Sequence, residues 1–197
     1  GSYWELTADR HVHSFADIRS LVGNNAVGLF VLAGEQATAH RRVLDAAVYR
    51  EAATRLDDHF TISIVDCGFS IDSQVTEEVL RDLDALIVVS SPWFDGASAA
   101  AQTLEWLANH GLNEVLHRTV VVLNDSDGHA DKRTRSVLFE RFSSRGQVVI
   151  ELPFDPRLRP GGVIDVDNDI ARNTRRRLIE IAAAIAEHFA ATTDEPT

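Results

Sequence analysis

Five apolar runs, separated by stretches of helical spacing, set what this chain can fold into. They are Val27-Gly28-Leu29-Phe30-Val31-Leu32-Ala33, Phe60-Thr61-Ile62-Ser63-Ile64-Val65, Ala85-Leu86-Ile87-Val88-Val89-Ser90, Thr119 to Leu123, and Val148-Val149-Ile150-Glu151-Leu152. Each is strand-sized and rich in Val, Ile or Leu. Strands of this kind joined by helical crossovers build a sheet buried on both faces. The expectation is an α/β fold, a mostly parallel sheet of about five strands flanked by helices.

The segments between the runs carry helix signals. Ser14-Phe15-Ala16-Asp17 reads as a capping box opening a short helix, with Gly23 as its stop. Val43, Leu44, Ala47, Ala52 and Leu56 fall roughly at helical spacing, which predicts an amphipathic helix over about 39–57. Further helices are expected over 76–83, over 95–109 with Asp95 as cap, over 131–142, and over about 168–190. Residues 192–197 read as a frayed tail. No repeat, low-complexity stretch or domain boundary is visible, so one domain over 1–197 is expected.

Charge and composition narrow the function classes. The chain has 197 residues and a formal charge of −11. That balance argues against broad nucleic-acid or anionic-membrane binding, which needs clustered positive charge. No apolar run approaches the roughly 20 residues of a membrane span. One cysteine permits no internal disulfide and fits a cytoplasmic protein. There is no methionine, which suggests a start codon outside this sequence; Gly1-Ser2 reads equally as native sequence or as a cloning remnant.

Three of the runs deliver polar residues at their carboxyl ends, where open α/β sheets bind ligands. The second run leads into Asp66-Cys67-Gly68. A carboxylate there is no packing residue, because burying it unpaired costs several kcal/mol. It either caps the turn or holds Mg²⁺ through a water, as acids so placed do in phosphate-hydrolysing proteins. Gly68 favours the second, since its missing Cβ lets backbone approach a phosphate. Asn124 either stabilises the turn 124–128 or matches the donor and acceptor pattern of an adenine edge. Pro153-Phe154-Asp155 closes the last run in the same way, its proline fixing the exit and its backbone able to pack on a base. Yet no G-x-x-x-x-G-K-[ST] phosphate loop occurs, and the one lysine, Lys132, lies in Gly128-His129-Ala130-Asp131-Lys132-Arg133.

Other features weigh less. His11-Val12-His13 lacks the third and fourth ligands a zinc site needs and reads as a surface pair. Asp125-x-Asp127-Gly128 is no EF-hand loop, since that frame puts Leu123 and Thr134 at ligand positions. Cys67 reads as a small packed residue, with no histidine placed to activate it. Arg172, Arg175, Arg176 and Arg177 make a basic patch early in the last helix, more often a solvated face than a nucleic-acid site. Trp93 and Phe94 put two large aromatics in a strand-to-helix loop on the ligand edge, and they read as a contact surface.

The order of these pieces carries a resemblance. Val65-Asp66-Cys67-Gly68 is followed by Ala85 to Ser90, Asp95-Gly96-Ala97 and Thr103-Leu104-Glu105-Trp106-Leu107. Then come Val121-Val122-Leu123-Asn124, Leu152-Pro153-Phe154-Asp155 and Asn173-Thr174-Arg175-Arg176. From about Ser14 to Phe189 the chain resembles the MinD/ParA group of deviant-Walker ATPases, which have a P-loop, Rossmann-like fold. More narrowly, it is similar to the MinD-like C-terminal domain of actinobacterial type VII (ESX) secretion-associated proteins of the EspI kind. That resemblance implies a cytoplasmic, ATP- and Mg-dependent switch whose phosphate loop would precede Gly1. It makes Asp66 the Walker B carboxylate, Asn124 the adenine-reading amide, and Pro153 with Asp155 the adenine loop. It also implies partners among secretion components and a homodimer, with no nucleic acid and no membrane insertion. Phe69-Ser70 departs from the small pair often found after Asp-Cys-Gly in that group, which puts hydrolysis in doubt. Phosphate affinity in such sites comes from the loop amides, its lysine and the helix behind it. This chain alone is therefore expected to bind ATP very weakly, to hydrolyse none, and to act either as part of a switch or as a degenerate interaction module.

Overall fold

A computed structural model describes residues 2–8, 12, 14–25, 28–33, 44–68, 70–162, 164–165 and 167–192, with side chains through 189. The chain forms two compact units, 1–79 and 80–197.

The first unit holds α1 (Tyr3–Ala8), α2 (Phe15–Leu21), β1 (Gly23–Asn24), β2 (Phe30–Val31) and α3 (Ala46–Asp57). The capping box at α2 forms as expected: Ser14 Oγ accepts from the Asp17 amide and Asp17 returns the bond to the Ser14 amide. The stop differs. Val22 is the C-cap and Gly23 enters an antiparallel pairing with Val31. The core gathers Leu6, Val12, Ile18, Val22 and Ala52, with Phe30 and Phe60 packed on it. The Arg55 guanidinium donates to the Leu6 carbonyl, tying α3 to α1.

The five-strand expectation is corrected here. Among the described residues, three runs form the parallel sheet, and the first unit shows the two-residue β1–β2 pair. Of the run 27–33, only Phe30–Val31 is strand, and residues 26–27 lie outside the described set. Residues 60–65 form no strand ladder with any described residue, and Ile62 is 65% and Ile64 88% exposed. A strand is stable only when a neighbour accepts its amides and carbonyls. Phe60 instead joins a ring cluster, 5.3 Å from Phe30 and 5.9 Å from Phe15 between centroids.

α4 (Gln74–Asp82) leads into the second unit, which holds β3 (Leu86–Ser90), α5 (Phe94–Asn109), α6 (Asn113–His117), β4 (Thr119–Asn124), α7 (Lys132–Ser143), β5 (Val148–Leu152) and α8 (Arg172–Thr192). A 3₁₀ turn, Pro156–Leu158, follows β5. The sheet order is β3-β4-β5, all parallel, with Val88 opposite Val121 and Val121 opposite Val149. Residues 119–123 of β4 are buried on both faces, as a continuous apolar run in a central parallel strand should be. Val120, Val122 and Ile150 pack against Ile181 of α8. Because side chains alternate along a strand, Val121 and Leu123 face the opposite side with Val88 and Ser90. Asp131 caps α7 through the Thr134 amide, as expected. Asp95 does not cap α5; it lies inside the first turn and Trp93 is the N-cap, without a side-chain bond. α8 starts at Arg172 rather than near 168.

Candidate functional site at the carboxyl edge of the sheet

In the second unit, the parallel register brings three loops to one edge of the sheet. These are the β3–α5 loop (91–93), the β4–α7 loop (125–131) and the segment after β5 (153–158). The Asp125 amide donates to the Leu152 carbonyl at 2.9 Å, extending the β4–β5 ladder by one bond past the strand end. Asp125 is buried and its Oδ1 accepts from the Gly128 amide at 2.8 Å, closing a tight turn.

Gly128 has φ +74°, a left-handed backbone that suits glycine. A Cβ there would lie 2.8 Å from Cδ1 of Phe154, so the loop after β4 packs backbone-on-ring against the loop after β5. The Arg159 guanidinium carbon lies 5.9 Å from the centre of the Phe154 ring. Pro153 and Phe154 are half-buried.

Asp155 is buried and spends its carboxylate on the protein itself. Oδ2 accepts from the Ala171 amide at 2.7 Å and Oδ1 from the Arg157 amide at 3.1 Å. The Ala171 amide foremost, with the Arg157 amide and Thr174 hydroxyl helping, holds this carboxyl below the ordinary aspartate range. Asp155 thus fastens the 3₁₀ turn to the start of α8.

Asn124 ends β4 half-buried, and its side-chain amide makes no hydrogen bond among the described residues. Its donors and acceptor are unspent among the described residues. Neighbouring Asp127 does not share that freedom: the His129 amide foremost, with the Trp93 indole also contributing, keeps its carboxyl below the usual range. The indole of Trp93, 36% exposed, is thereby turned toward the β4–α7 loop, whereas Phe94 is 59% exposed. Sequence reading singled out both aromatics but had no signal for the Trp93–Asp127 approach, which joins residues from different loops.

Asp66 and Gly68 belong to the first unit. The Gly68 amide, at φ +62°, donates to Asp66 Oδ1 at 2.9 Å, and Asp66 is exposed. This is the turn-capping arrangement, and it leaves Oδ2 open. Phe69 lies outside the described residues, as do His11 and His13. Cys67 is half-buried, and burial first, then the Asp66 charge, pushes its thiol up, the opposite of what a nucleophile needs. Among the described residues no group of three metal-ligating side chains comes together.

Two carboxylates offset half the charge of the four-arginine patch. Arg175 pairs with Asp167 at 2.9 Å, Arg177 with Glu180 at 2.6 Å, and Arg176 with the same Glu180 at 3.7 Å. Arg172 is the first residue of α8 and is exposed.

No family model matches the chain. Two curated relatives do: the ESX-1 secretion-associated protein EspI of Mycobacterium tuberculosis strains CDC 1551 / Oshkosh and ATCC 25618 / H37Rv. Each is 28% identical over 188 residues, covering 94% of this chain. The chain spans only 28% of the length of those relatives. The similarity therefore runs through both units and through every loop of the candidate edge. No described helix is long and apolar enough to cross a membrane.

Proposed function

We propose that this chain is the base-binding part of a MinD-like, nucleotide-responsive regulatory domain that serves a type VII (ESX) secretion system. The observation that carries the reading is Asn124: an unspent amide at the carboxyl end of the central strand, beside a Phe154 loop held rigid by Asp155 and Gly128. An amide so placed offers a donor and an acceptor to an adenine edge, and the half-buried Pro153-Phe154 offers apolar surface to its face. Collinearity with EspI supports the secretion context. In this reading the open oxygen of Asp66 would hold Mg²⁺ through a water, with the Gly68 turn leaving that carboxylate exposed.

The fit is one-sided. The residues suit a base, but the sequence holds no phosphate loop, and phosphates supply most of the affinity in such sites. The chain by itself should therefore bind ATP only at about millimolar concentration and turn over none. Isothermal calorimetry, with side-chain amide and aromatic-ring NMR spectra during an adenosine titration, checks this. Asn124 and Phe154 resonances should move at millimolar adenosine. Micromolar ATP affinity, or adenosine leaving both residues unmoved, overturns the reading.

A second reading, a non-hydrolysing contact module of the secretion system or a homodimer, is favoured by the exposed Phe94 beside Trp93. Phe94→Asp in the full-length protein should then impair secretion while leaving the thermal midpoint within about 2 °C, since exposed substitutions cost little. Unchanged secretion removes this reading. A DNA-partitioning role fits poorly, because acidic partners occupy Arg175, Arg176 and Arg177 and the net charge is −11.

A further inference from the structure

The outer edge of β5 has the features of a strand-addition site. β5 bonds to β4 on one side only and is an edge of its sheet among the described residues. The Leu152 carbonyl accepts the Asp125 amide, so residue 152 points its backbone toward β4. Backbone direction alternates along a strand. Val148 and Ile150 therefore also face β4, while Val149 and Glu151 turn their amides and carbonyls outward. No described residue bonds those four groups.

The same two residues line a groove of about 250 Å³, completed by Ser136, Phe139 and Glu140 of α7 and Arg177 of α8. The open edge is thus a channel walled by helices from both faces of the sheet. Apolar surface is bare on both faces of this edge: Phe139, in the groove, is 39% exposed, and Val148, on the opposite face of β5, is 46% exposed. Unpaired edges with exposed apolar side chains template pairing with another extended segment.

Charge decides what kind of segment fits. The lining contains two carboxylates, Glu140 and Glu151, and neither has an ion-pair partner among the described residues. The one lining cation, Arg177, is held by Glu180 at 2.6 Å. An incoming strand with lysine or arginine at alternate positions would place its cations on the face of Glu151 and Glu140 and its apolar residues on the opposite face, beside the exposed Val148. An acidic strand would be repelled, which sets specificity more than strength.

We propose that the β5 edge, between α7 and α8, binds an extended protein segment in which apolar and basic residues alternate. The site is separate from the Asn124 edge and does not depend on nucleotide.

Fluorescence anisotropy with a labelled eight-residue peptide of alternating valine and lysine, at 0.15 M salt, tests the proposal. Binding in the range of about 10–100 µM is expected for a short augmenting strand. The double reversal Glu140→Lys/Glu151→Lys should weaken it at least tenfold. So should a valine–glutamate peptide, and so should a valine–lysine peptide N-methylated on the amides that would meet β5. Val149→Pro gives an independent check, because it removes only an outward amide, which edge strands tolerate. Absence of binding at 1 mM, equal binding by the charge-reversed protein, or equal binding by the N-methylated peptide each overturns the proposal. So does concentration-dependent dimerisation abolished by Val149→Pro, which would assign the edge to a second copy.

Discussion

Gly128→Ala should lower the unfolding midpoint by about 10 °C, corresponding to a loss of roughly 2–3 kcal/mol. Two costs add. At φ +74° an alanine adopts a backbone that L-residues disfavour, worth about 1 kcal/mol. The new methyl also meets the Phe154 ring at 2.8 Å. That ring cannot simply swing away, because Pro153 precedes it and Asp155 behind it is fixed by two amides. Gly146→Ala separates the terms: its φ is +83°, but nothing lies within 4 Å of the added carbon, so only the conformational cost should appear. A further Phe154→Ala change should restore part of the loss in Gly128→Ala and none in Gly146→Ala. Equal midpoints for the two glycine variants would show that the ring contact carries no energy. The same contact bears on the proposed base site, since it fixes the Phe154 loop beside Asn124.

The reach of the sequence is clear when particular residues are compared. β5 forms over the predicted span and β4 extends it only by Asn124, because both are apolar runs with a turn signal at the exit. The capping residues Ser14 and Asp131 were legible because their partners lie three residues away. Phe60 to Val65 carried as strong a strand signal, yet it has no ladder among the described residues. A ladder needs a partner that no local pattern supplies, and β preference is a statement about neighbours more than about the segment itself. For the site, the positions of Asn124 and the 153–155 loop were readable as strand ends. The role of Asp155 was not, because its strongest partner, the Ala171 amide, is sixteen residues on. Resemblance marked Asp155 as part of a nucleotide loop. In the structure its carboxylate is spent on the Ala171 and Arg157 amides and fastens the 3₁₀ turn to the start of α8. α1, assigned no structure from sequence, owes its place to Leu6 in the first core and to the Arg55 bond.

Asp155→Ala should cost about 3 kcal/mol at pH 7, on the scale of charge-assisted bonds to two amides and the desolvation of the donors left behind. Those donors are Ala171, at the entry to α8, and Arg157, in the 3₁₀ turn, so both the helix start and the Phe154 loop should loosen. Asp155→Asn should fall between, since its oxygen can keep one amide while its NH₂ meets the other donor to donor. The pH dependence follows from the lowered carboxyl. A group whose folded pKa lies below its unfolded value stabilises fully above the ordinary aspartate value of about 3.9 and loses that contribution as pH falls through the folded one. The gap between the wild-type chain and Asp155→Ala in urea denaturation should thus be constant from about pH 7 to 5 and shrink below about pH 4. Asp127, Asp131 and Asp165 are also lowered, but they are common to both proteins and cancel in the difference. A gap that persists unchanged to pH 2 would mean that Asp155 acts through packing and not through its charge. No gap at pH 7 would mean that the loop after β5 stands without it, and the rigid wall argued for the Asn124 site would lose its foundation.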